Sequence, residues 1–527
     1  MNHQKQNEDT STRPFIKLDN ITICINDQLL FAHTNWLMET GQHWAIIGPN
    51  GSGKSVLANT ICRKVPIHEG QISYFFNDTN QDQGAHFFNR GEIVMVSPDL
   101  HKELAQQYGG YHQARFQSFE GNEVPTVSVY LSRKSIEHIS PYEITPFKTD
   151  ESVYWERRRK ATQLLHIENL LERKMHQLSN GETRKILLVR ALIQAPKLLI
   201  LDDPYGGLDT ASRQHLQEVI ETILGSENMQ ILIITSRYEE VPEGITHLLE
   251  VENNRIVYQG PKELAFQGAK PLASQSFIDD KSFAPVHFPA WKPNSKLNQS
   301  VLVEMKNVKV SYHGITVLTG IDWTVKQGEY WAVLGDNGAG KTTLLSLILA
   351  DNPQAYSNEI YLFGQKRGEG ESIWDIKRNI GWISPELQMY YSTNSACLDV
   401  ICSGFFDSIG IYQNSSPDQQ KIALDWMRFL SIPQLANIPF YKISIGQQRL
   451  VLLGRALVKS PPLLIFDEPC QGLDISYRQQ IINLIDRLCQ ETPVSLIYVT
   501  HYSQEIPRAI DRWLILEEGR IKEKRLQ

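Results

Sequence analysis

Along the chain, short runs of apolar residues, many of them branched, alternate with longer stretches whose apolar residues recur at helical spacing. Trp44 to Ile47, Ile93 to Val96 and Leu198 to Leu201 are such runs, and Trp331 to Leu334, Ile380 to Ile383 and Leu463 to Phe466 are others. Each is too short for a helix and continuous enough for a strand buried on both faces. The helical stretches between them fit crossover connections. The pattern therefore predicts an α/β fold built on parallel strands.

The pattern also runs twice. HWAIIGPNGSGKS at 43–55 returns as YWAVLGDNGAGKT at 330–342, and LLILDDPYGGLD at 198–209 returns as LLIFDEPCQGLD at 463–474. Lys54 and Lys341 are offset by 287 (341 − 54), whereas Asp202 and Asp467 are offset by 265 (467 − 202). The first copy thus carries 22 additional residues (287 − 265), which the loop-like sequence places between 100 and 150. A chain of 527 residues exceeds one ordinary core. We divide it into a first domain at 14–260, a linker at 261–300 rich in Pro, Ser and Lys, and a second domain at 301–527. A linker of about 40 residues can cross a whole domain at about 3.3 Å per residue.

Composition narrows the class without choosing within it. Hydrophobic residues make up 41% and charged residues 21%, ordinary for a soluble globular protein. A net charge of −7 argues against a dedicated nucleic-acid binder, which carries a basic footprint. The cysteines at 24, 62, 397, 402, 470 and 489 include no Cys-x-x-Cys pair, so neither zinc nor a disulfide framework is indicated. Met1 to Arg13 is polar and does not read as a secretory signal, and no run of about 18 apolar residues suggests a membrane span. The expected location is cytoplasmic, peripheral on the inner face of the membrane if a membrane partner exists.

The chemistry begins at the loops after the first strand of each motif. Gly48-Pro49-Asn50-Gly51-Ser52-Gly53-Lys54-Ser55 and Gly335-Asp336-Asn337-Gly338-Ala339-Gly340-Lys341-Thr342, with Thr343 following, both satisfy G-x-x-x-x-G-K-[ST] between a strand and a helix. Glycines let backbone N–H groups curl around phosphate oxygens, and the helix N-terminus adds favourable partial charge. The Lys reaches the terminal phosphates, and the hydroxyl of Ser55 or Thr342 ligates Mg²⁺. Asp202 and Asp467 end apolar strands, where a carboxylate can hold the same Mg²⁺ through water. The following residue is the candidate general base, Glu468 in the second copy and the shorter Asp203 in the first.

Between loop and Asp strand, Leu178-Ser179-Asn180-Gly181-Glu182 and Ile443-Ser444-Ile445-Gly446-Gln447 resemble the LSGGQ signature of ABC ATPases. With the bracketing motifs, the chain resembles that family over 16–258 and 302–521. The resemblance implies two P-loop NTPase domains, each with a helical subdomain carrying the signature, ATP and Mg²⁺ as cofactors, and ATP hydrolysis. It further implies head-to-tail composite sites. Site one would combine Lys54, Ser55, Asp202 and Asp203 with Ser444, Gly446 and Gln447. Site two would combine Lys341, Thr342, Asp467 and Glu468 with Ser179, Gly181 and Glu182.

Two further positions of the family pattern separate the sites. An aromatic that stacks on adenine is Tyr312 in the second copy and Ile25 in the first, both 29 residues before their Lys (341 − 312; 54 − 25). The switch His that meets the γ-phosphate is His501 in the second copy, and Ser236 stands there in the first. The expected division is a hydrolytic site two and a nucleotide-holding site one. A departure affects both copies: the family's Gln after the next strand is Pro98 and Pro385 here, followed by Asp99 and Glu386. Proline offers no side-chain donor or acceptor, which puts transporter-style coupling in doubt.

The tandem arrangement resembles a subgroup of ABC ATPases named for molybdate transport or photorepair. It implies a membrane permease supplied by another chain. Translation-type ABC proteins are the alternative, with the ribosome or nucleic acid as partner. The run Trp155-Glu-Arg-Arg-Arg-Lys160 would then meet phosphates, although such a run on a helix is more often a solvated face. A nucleotide-dependent regulator with little turnover is a third reading.

Overall fold

The computed structural model describes residues 13–25, 28–76, 91–98, 100, 103–104, 124–137, 147, 149–178, 180–206, 208, 210–225, 229–265, 289, 291, 300–312, 314–391, 394–410 and 413–526. They fall in the main into two compact units, one carried by the chain up to Gln275 and one by the chain from Ser276 onward.

The first unit opens on β1 (Pro14–Ile25), β2 (Gln28–Glu39) and β3 (Trp44–Ile47), then α1 (Lys54–Ile61), β4 (Ile67–Tyr74) and β5 (Ile93–Val96). A helical region follows: α2 (Val127–Tyr130), α3 (Arg133–Ile136), α4 (Glu151–Leu165) and α5 (Asn180–Gln194). The chain returns through β6 (Leu198–Asp202), α6 (Thr210–Leu224), β7 (Gln230–Thr235), β8 (His247–Glu252), β9 (Arg255–Pro261) and α7 (Lys262–Ala265).

The second unit repeats this plan. It begins with β10 (Val301–Tyr312), β11 (Ile315–Lys326), β12 (Tyr330–Leu334) and α8 (Lys341–Ile348). Next come β13 (Glu359–Leu362), β14 (Gln365–Lys366), α9 (Ile373–Lys377) and β15 (Ile380–Ile383). Its helical region holds α10 (Pro385–Tyr390), α11 (Cys397–Cys402), α12 (Pro417–Phe429) and α13 (Ile445–Leu457). It closes with β16 (Leu463–Asp467), α14 (Ile475–Glu491), β17 (Ser495–Val499), β18 (Arg512–Glu517) and β19 (Arg520–Leu526).

The apolar runs become the predicted parallel strands. The central sheets have the orders β5-β6-β7-β3-β8-β9 and β15-β16-β17-β12-β18-β19, with parallel pairing except at the last pair of each. Every residue of β3, β7 and β17 is buried, as a strand covered on both faces requires. The structure adds a layer that the parallel-strand expectation did not contain. Antiparallel sheets, β2-β1-β4 and β11-β10-β13-β14, pack beside the parallel ones. Their strands alternate buried and exposed positions, as a sheet with one wet face does.

The first unit continues past the expected boundary at 260, through the end of β9 at Pro261 and through α7 to Ala265. Within the linker, Trp291 meets Trp426 of α12 edge-on, with ring centroids 6.1 Å apart at 81°. Most of the linker, and most of the stretch expected to hold the additional residues of the first copy, lies outside the described residues.

One core position shows how the copies diverge in where they place an aromatic ring. Buried Tyr205 follows Asp203 in the first unit, where Cys470 follows Glu468 in the second. On the neighbouring strand the exchange is reversed, Ile233 against Tyr498, whose hydroxyl lies 3.5 Å from Cys470 Sγ. One ring thus moves from the loop to the strand, and both arrangements are buried.

Candidate functional site

Parallel pairing fixes where chemistry can gather. Strands running the same way put all their carboxyl ends on one edge, and a crevice there is where such sheets bind ligands. In the first unit β3 lies beside β7, and β7 beside β6, so Ile47 is opposite Thr235 and Asp202 opposite Ile234. In the second unit Val333 and Asp467 both flank Val499. The P-loop, the metal-type Asp, the candidate base and the switch position of one copy therefore share an edge.

The two loops have nearly the same geometry. Gly53 and Gly340 cap α1 and α8 at φ 97°, in the left-handed region, and neither helix has a side-chain N-cap. A methyl group on Gly340 would fall 2.6 Å from Leu318 Cδ2 and one on Gly53 2.8 Å from Phe31 Cε2, so both conformation and space demand glycine. Each Lys lies across its loop. Lys54 Nζ donates to Gly48 O and Pro49 O, both at 2.7 Å, and Lys341 Nζ to Gly335 O at 2.6 Å and Asp336 O at 3.0 Å. Ser55 and Thr342 are exposed at the second helical position. Uncapped first-turn amides beside a fixed ammonium are a binding site for phosphate.

Asp203 and Glu468 share a backbone that the sequence did not announce. Both take positive φ, 46° and 44°, and each donates its N–H to the adjacent strand, Asp203 to Ile234 O and Glu468 to Val499 O, both at 2.9 Å. A non-glycine residue held there costs roughly 1–2 kcal/mol, and such strain gathers at functional sites. The side chains then part. Glu468 Oε1 lies 3.0 Å from His501 Nδ1. The imidazole is 4% exposed and lies against the Tyr502 ring, centroids 4.0 Å apart and planes tilted by 43°. Its Nε2 is buried and makes no hydrogen bond among the described residues.

Asp203 has no such partner, because Ser236 stands at the His position. Its carboxylate lies over the following turn, where a methyl group on Gly206 would fall 2.2 Å from Oδ2. Gln471 occupies that position in the second copy (206 + 265). Beside Asp203, burial and then the Asp203 charge push the Glu240 carboxyl above the usual range. Thr235 Oγ1 at 2.5 Å and Arg213 Nη2 at 3.1 Å hold Glu240 in place. Gly206 and Gln471 escaped the motif reading, and laying the two copies side by side is the signal that exposes them.

The second signature is a helix start. Ser444 Oγ accepts from Gln447 N at 3.3 Å while Gln447 Oε1 accepts from Ser444 N at 3.1 Å, a capping box on α13. Gly446 has a packing reason to be glycine, since a methyl group there would fall 2.6 Å from the Tyr477 ring. In the first signature Ser179 lies outside the described residues, Gly181 sits in the first turn of α5, and Glu182 pairs with Arg173 at 3.3 Å. Tyr312, at the end of β10, accepts a hydrogen bond from Asn352 Nδ2 at 2.8 Å, which fixes its ring, and Ile25 ends β1 correspondingly. Pro98 and Pro385 both begin helical turns. Asp99 and the side chain of Glu386 lie outside the described residues. Among the described residues no helix is long and apolar enough to cross a membrane.

The model of the ABC transporter family matches residues 31–206 and 318–471. The chain is 36% identical to the ABC transporter ATP-binding protein ModF of Escherichia coli over 489 residues, 90% of this chain and 91% of that one. An ABC transporter ATP-binding protein of Schizosaccharomyces pombe is 29% identical over 96% of this chain and 99% of its own. The Bacillus subtilis protein YlmA, also an ABC transporter ATP-binding protein by name, is 32% identical over 42% of this chain and 84% of its own. With a family match in each half and both P-loops formed, the chain belongs to the ABC transporter family as a tandem ATP-binding protein.

Proposed function

We propose that this chain is an ATP hydrolase with two cassettes, 14–260 and 301–527, of which the second P-loop serves the hydrolytic site. The observation that carries the reading is the Glu468–His501 pair. The carboxylate accepts from Nδ1 at 3.0 Å, and the buried Nε2 beside the P-loop edge has no hydrogen-bond partner among the described residues. Glu468 is then placed to orient and deprotonate water, and His501 to meet the terminal phosphate. Lys341, the amides of 335–343, and Tyr312 bind the nucleotide. Thr342 and Asp467 would hold Mg²⁺, which neutralises phosphate charge when bound.

In the first copy Lys54, the backbone N–H groups of 50–55, Ser55 and Asp202 bind ATP and Mg²⁺ in the same manner. Asp203 lacks both the reach and the histidine, so this site holds nucleotide rather than turning it over. By the family's head-to-tail pairing, Ser444, Gly446 and Gln447 complete the first site, and Ser179, Gly181 and Glu182 the second. Similarity to ModF supports an energising role in a transport process, molybdate-type by the subgroup resemblance, through a permease on another chain.

Phosphate release by single variants tests the division. Glu468→Gln nearly abolishes turnover, while Asp203→Asn changes it modestly. Equal losses in the two variants would sink the asymmetry, and no turnover in the unaltered protein would sink the hydrolase. Recovery of a permease with the tagged protein from membranes tests the transport role.

A further inference from the structure

In the second unit the strand that ends at Tyr312 is held by side-chain amides that no motif announces. The ladder between β10 and β13 runs from Val303 opposite Leu362 to Lys306 opposite Glu359. Beyond it, the turn Pro353–Ser357 and its flank take the place of a strand. Asn358 Oδ1 accepts from Lys309 N at 2.8 Å, and Asn358 Nδ2 donates to Lys309 O at 2.9 Å. Gln354 Oε1 accepts from Ser311 N at 3.1 Å, and Gln354 Nε2 donates to Ser311 O at 2.9 Å. A carboxamide presents an acceptor and a donor side by side, as a peptide unit does. The backbone is thereby tied down as far as the residue before the tyrosine.

Asn352 then holds the ring itself. It is 1% exposed and caps the same turn, its Oδ1 accepting from Gln354 N at 3.0 Å. That backbone donor decides which end of the amide is oxygen. Nδ2 therefore donates to Tyr312 Oη at 2.8 Å and to Ser346 Oγ at 3.1 Å. Ser346 Oγ donates in turn to Thr343 O at 2.7 Å. Ser346 and Thr343 both belong to α8, whose first turn takes the phosphates. The tyrosine ring and the phosphate-binding turn are thus joined through one buried amide, at a fixed spacing.

The first copy has the same backbone here with different side chains. Arg63 and Ala350 take φ of 56° and 59°, and Val65 N and Asn352 N reach Asn59 O and Ser346 O at 3.4 and 3.2 Å, each pair offset by 287 (350 − 63; 352 − 65; 346 − 59). Ile25, Val65 and Ile67 stand where the second copy has Tyr312, Asn352 and Gln354 (312 − 25; 352 − 65; 354 − 67). None of these side chains can hydrogen-bond, and β4 itself supplies the pairing there, with Ile67 opposite Ile23. The tyrosine and its amides are exchanged together. We propose that Asn352, Gln354 and Asn358 are positioning residues that hold Tyr312 as a fixed platform for the nucleotide base at the second P-loop. The inference rests on the reading of Tyr312 as the residue that stacks on the base. A ring ordered before the ligand arrives spares the entropy of ordering it on binding.

Displacement of a ribose-labelled fluorescent ATP from the full-length protein tests this, in a Lys54→Ala background so that the second P-loop is read. The competitors are ATP and inorganic tripolyphosphate, which has no base. Asn352→Val and Tyr312→Phe each remove the bond between amide and hydroxyl. Each weakens ATP about three- to tenfold and leaves tripolyphosphate unchanged. Because both remove one bond, the double variant loses no more than the worse single one. Gln354→Leu with Asn358→Leu frees the strand end and likewise weakens ATP alone. Tyr312→Ala weakens ATP the most. Unchanged ATP affinity in Asn352→Val or in the Leu pair, an equal weakening of tripolyphosphate, or an additive loss in the double variant overturns the inference alone. Unchanged ATP affinity in Tyr312→Ala overturns the base-stacking reading, and this inference with it. Failure of ATP to displace the label in the Lys54→Ala background overturns the nucleotide reading of the second P-loop, and both fall.

Discussion

If the first copy fails as a hydrolase for the reasons its geometry shows, it can be rebuilt. The background is Glu468→Gln, in which the proposed function expects turnover to be nearly lost, so that any recovery would come from the first P-loop. Asp203 and Glu468 have matching backbones, with φ of 46° and 44° and the same N–H bond of 2.9 Å to the next strand. Asp203→Glu therefore adds only the missing reach, one C–C bond of about 1.5 Å. Alone it should recover little, because the carboxylate remains free to lie over Gly206. Adding Gly206→Gln closes that space. A Cβ there lies 2.2 Å from Asp203 Oδ2, where carbon and oxygen need about 3.3 Å, so the carboxylate must move by about 1 Å. A displacement of that size is worth up to about a hundredfold in rate. Ser236→His then supplies the imidazole. A hydrogen bond to a charged group contributes about 1.5–3 kcal/mol, or about 10- to 150-fold. Steady-state phosphate release, with nucleotide binding measured in parallel, should rise stepwise from one to three substitutions. If all three together leave turnover at the level of Glu468→Gln while ATP still binds, the three side chains are not what separates the copies. If Gly206→Gln adds nothing to the other two, the steric part of the reasoning fails.

Two more outcomes follow from the same geometry. Gly340→Ala forces a left-handed conformation costing roughly 1–2 kcal/mol on a side chain that also meets Leu318 at 2.6 Å, so fluorescent-nucleotide titration should show about tenfold or greater loss of affinity. Burial pushes the Lys459 ammonium from its ordinary 10.5 down to about 8, only partly offset by Asp407, which it touches. Between those values the unfolded chain binds a proton that the folded chain does not, so this group makes stability rise with pH from about 8 to 10.5. Urea unfolding at several pH values should show that rise flattened in Lys459→Met with Asp407→Leu, at unchanged or increased stability. Lys459→Met alone should cost about 3–5 kcal/mol by stranding a buried carboxylate.

Much of this site is legible in the residues because its chemistry is local. A glycine-rich loop between a strand and a helix determines its own shape, and parallel strands then bring Asp202 and Asp467 to the same edge as Lys54 and Lys341. The antiparallel sheets were missed because long alternating strands such as β10 carry no such motif and pair with partners far along the chain. The strain at 203 and 468 was invisible because no residue type announces a positive φ outside glycine and asparagine. Gly446 illustrates a different limit. Its motif suggests ligand approach, whereas the Tyr477 ring packed against it supplies a sufficient reason by itself, and the pattern of letters cannot separate the two. The capping box of Ser444 and Gln447 has the same double character, since the cap that starts a helix also leaves its amides directed outward.

The first copy poses a sharper question than simple decay. It keeps the P-loop glycine at φ 97°, the lysine across the loop, and the strained backbone at Asp203, yet lacks the side chains that would use that strain for hydrolysis. A turn costing roughly 1–2 kcal/mol relaxes easily if nothing holds it. Here the Asp203 N–H is tied to Ile234 O, and Arg184 Nη1 grips Asp203 O and Pro204 O, both at 3.1 Å. Arg184 stands on α5, the helix that begins in the signature. The strained turn is therefore a joint between the strand that ends at Asp202 and the signature helix of the same copy. On the proposed reading, a site that only holds nucleotide still needs that joint, because binding at its P-loop would have to be felt by the helix it shares with the rest of its own cassette. In the proposed function the base and the switch histidine serve bond cleavage alone, so they would be the parts whose loss leaves the mechanical connection intact.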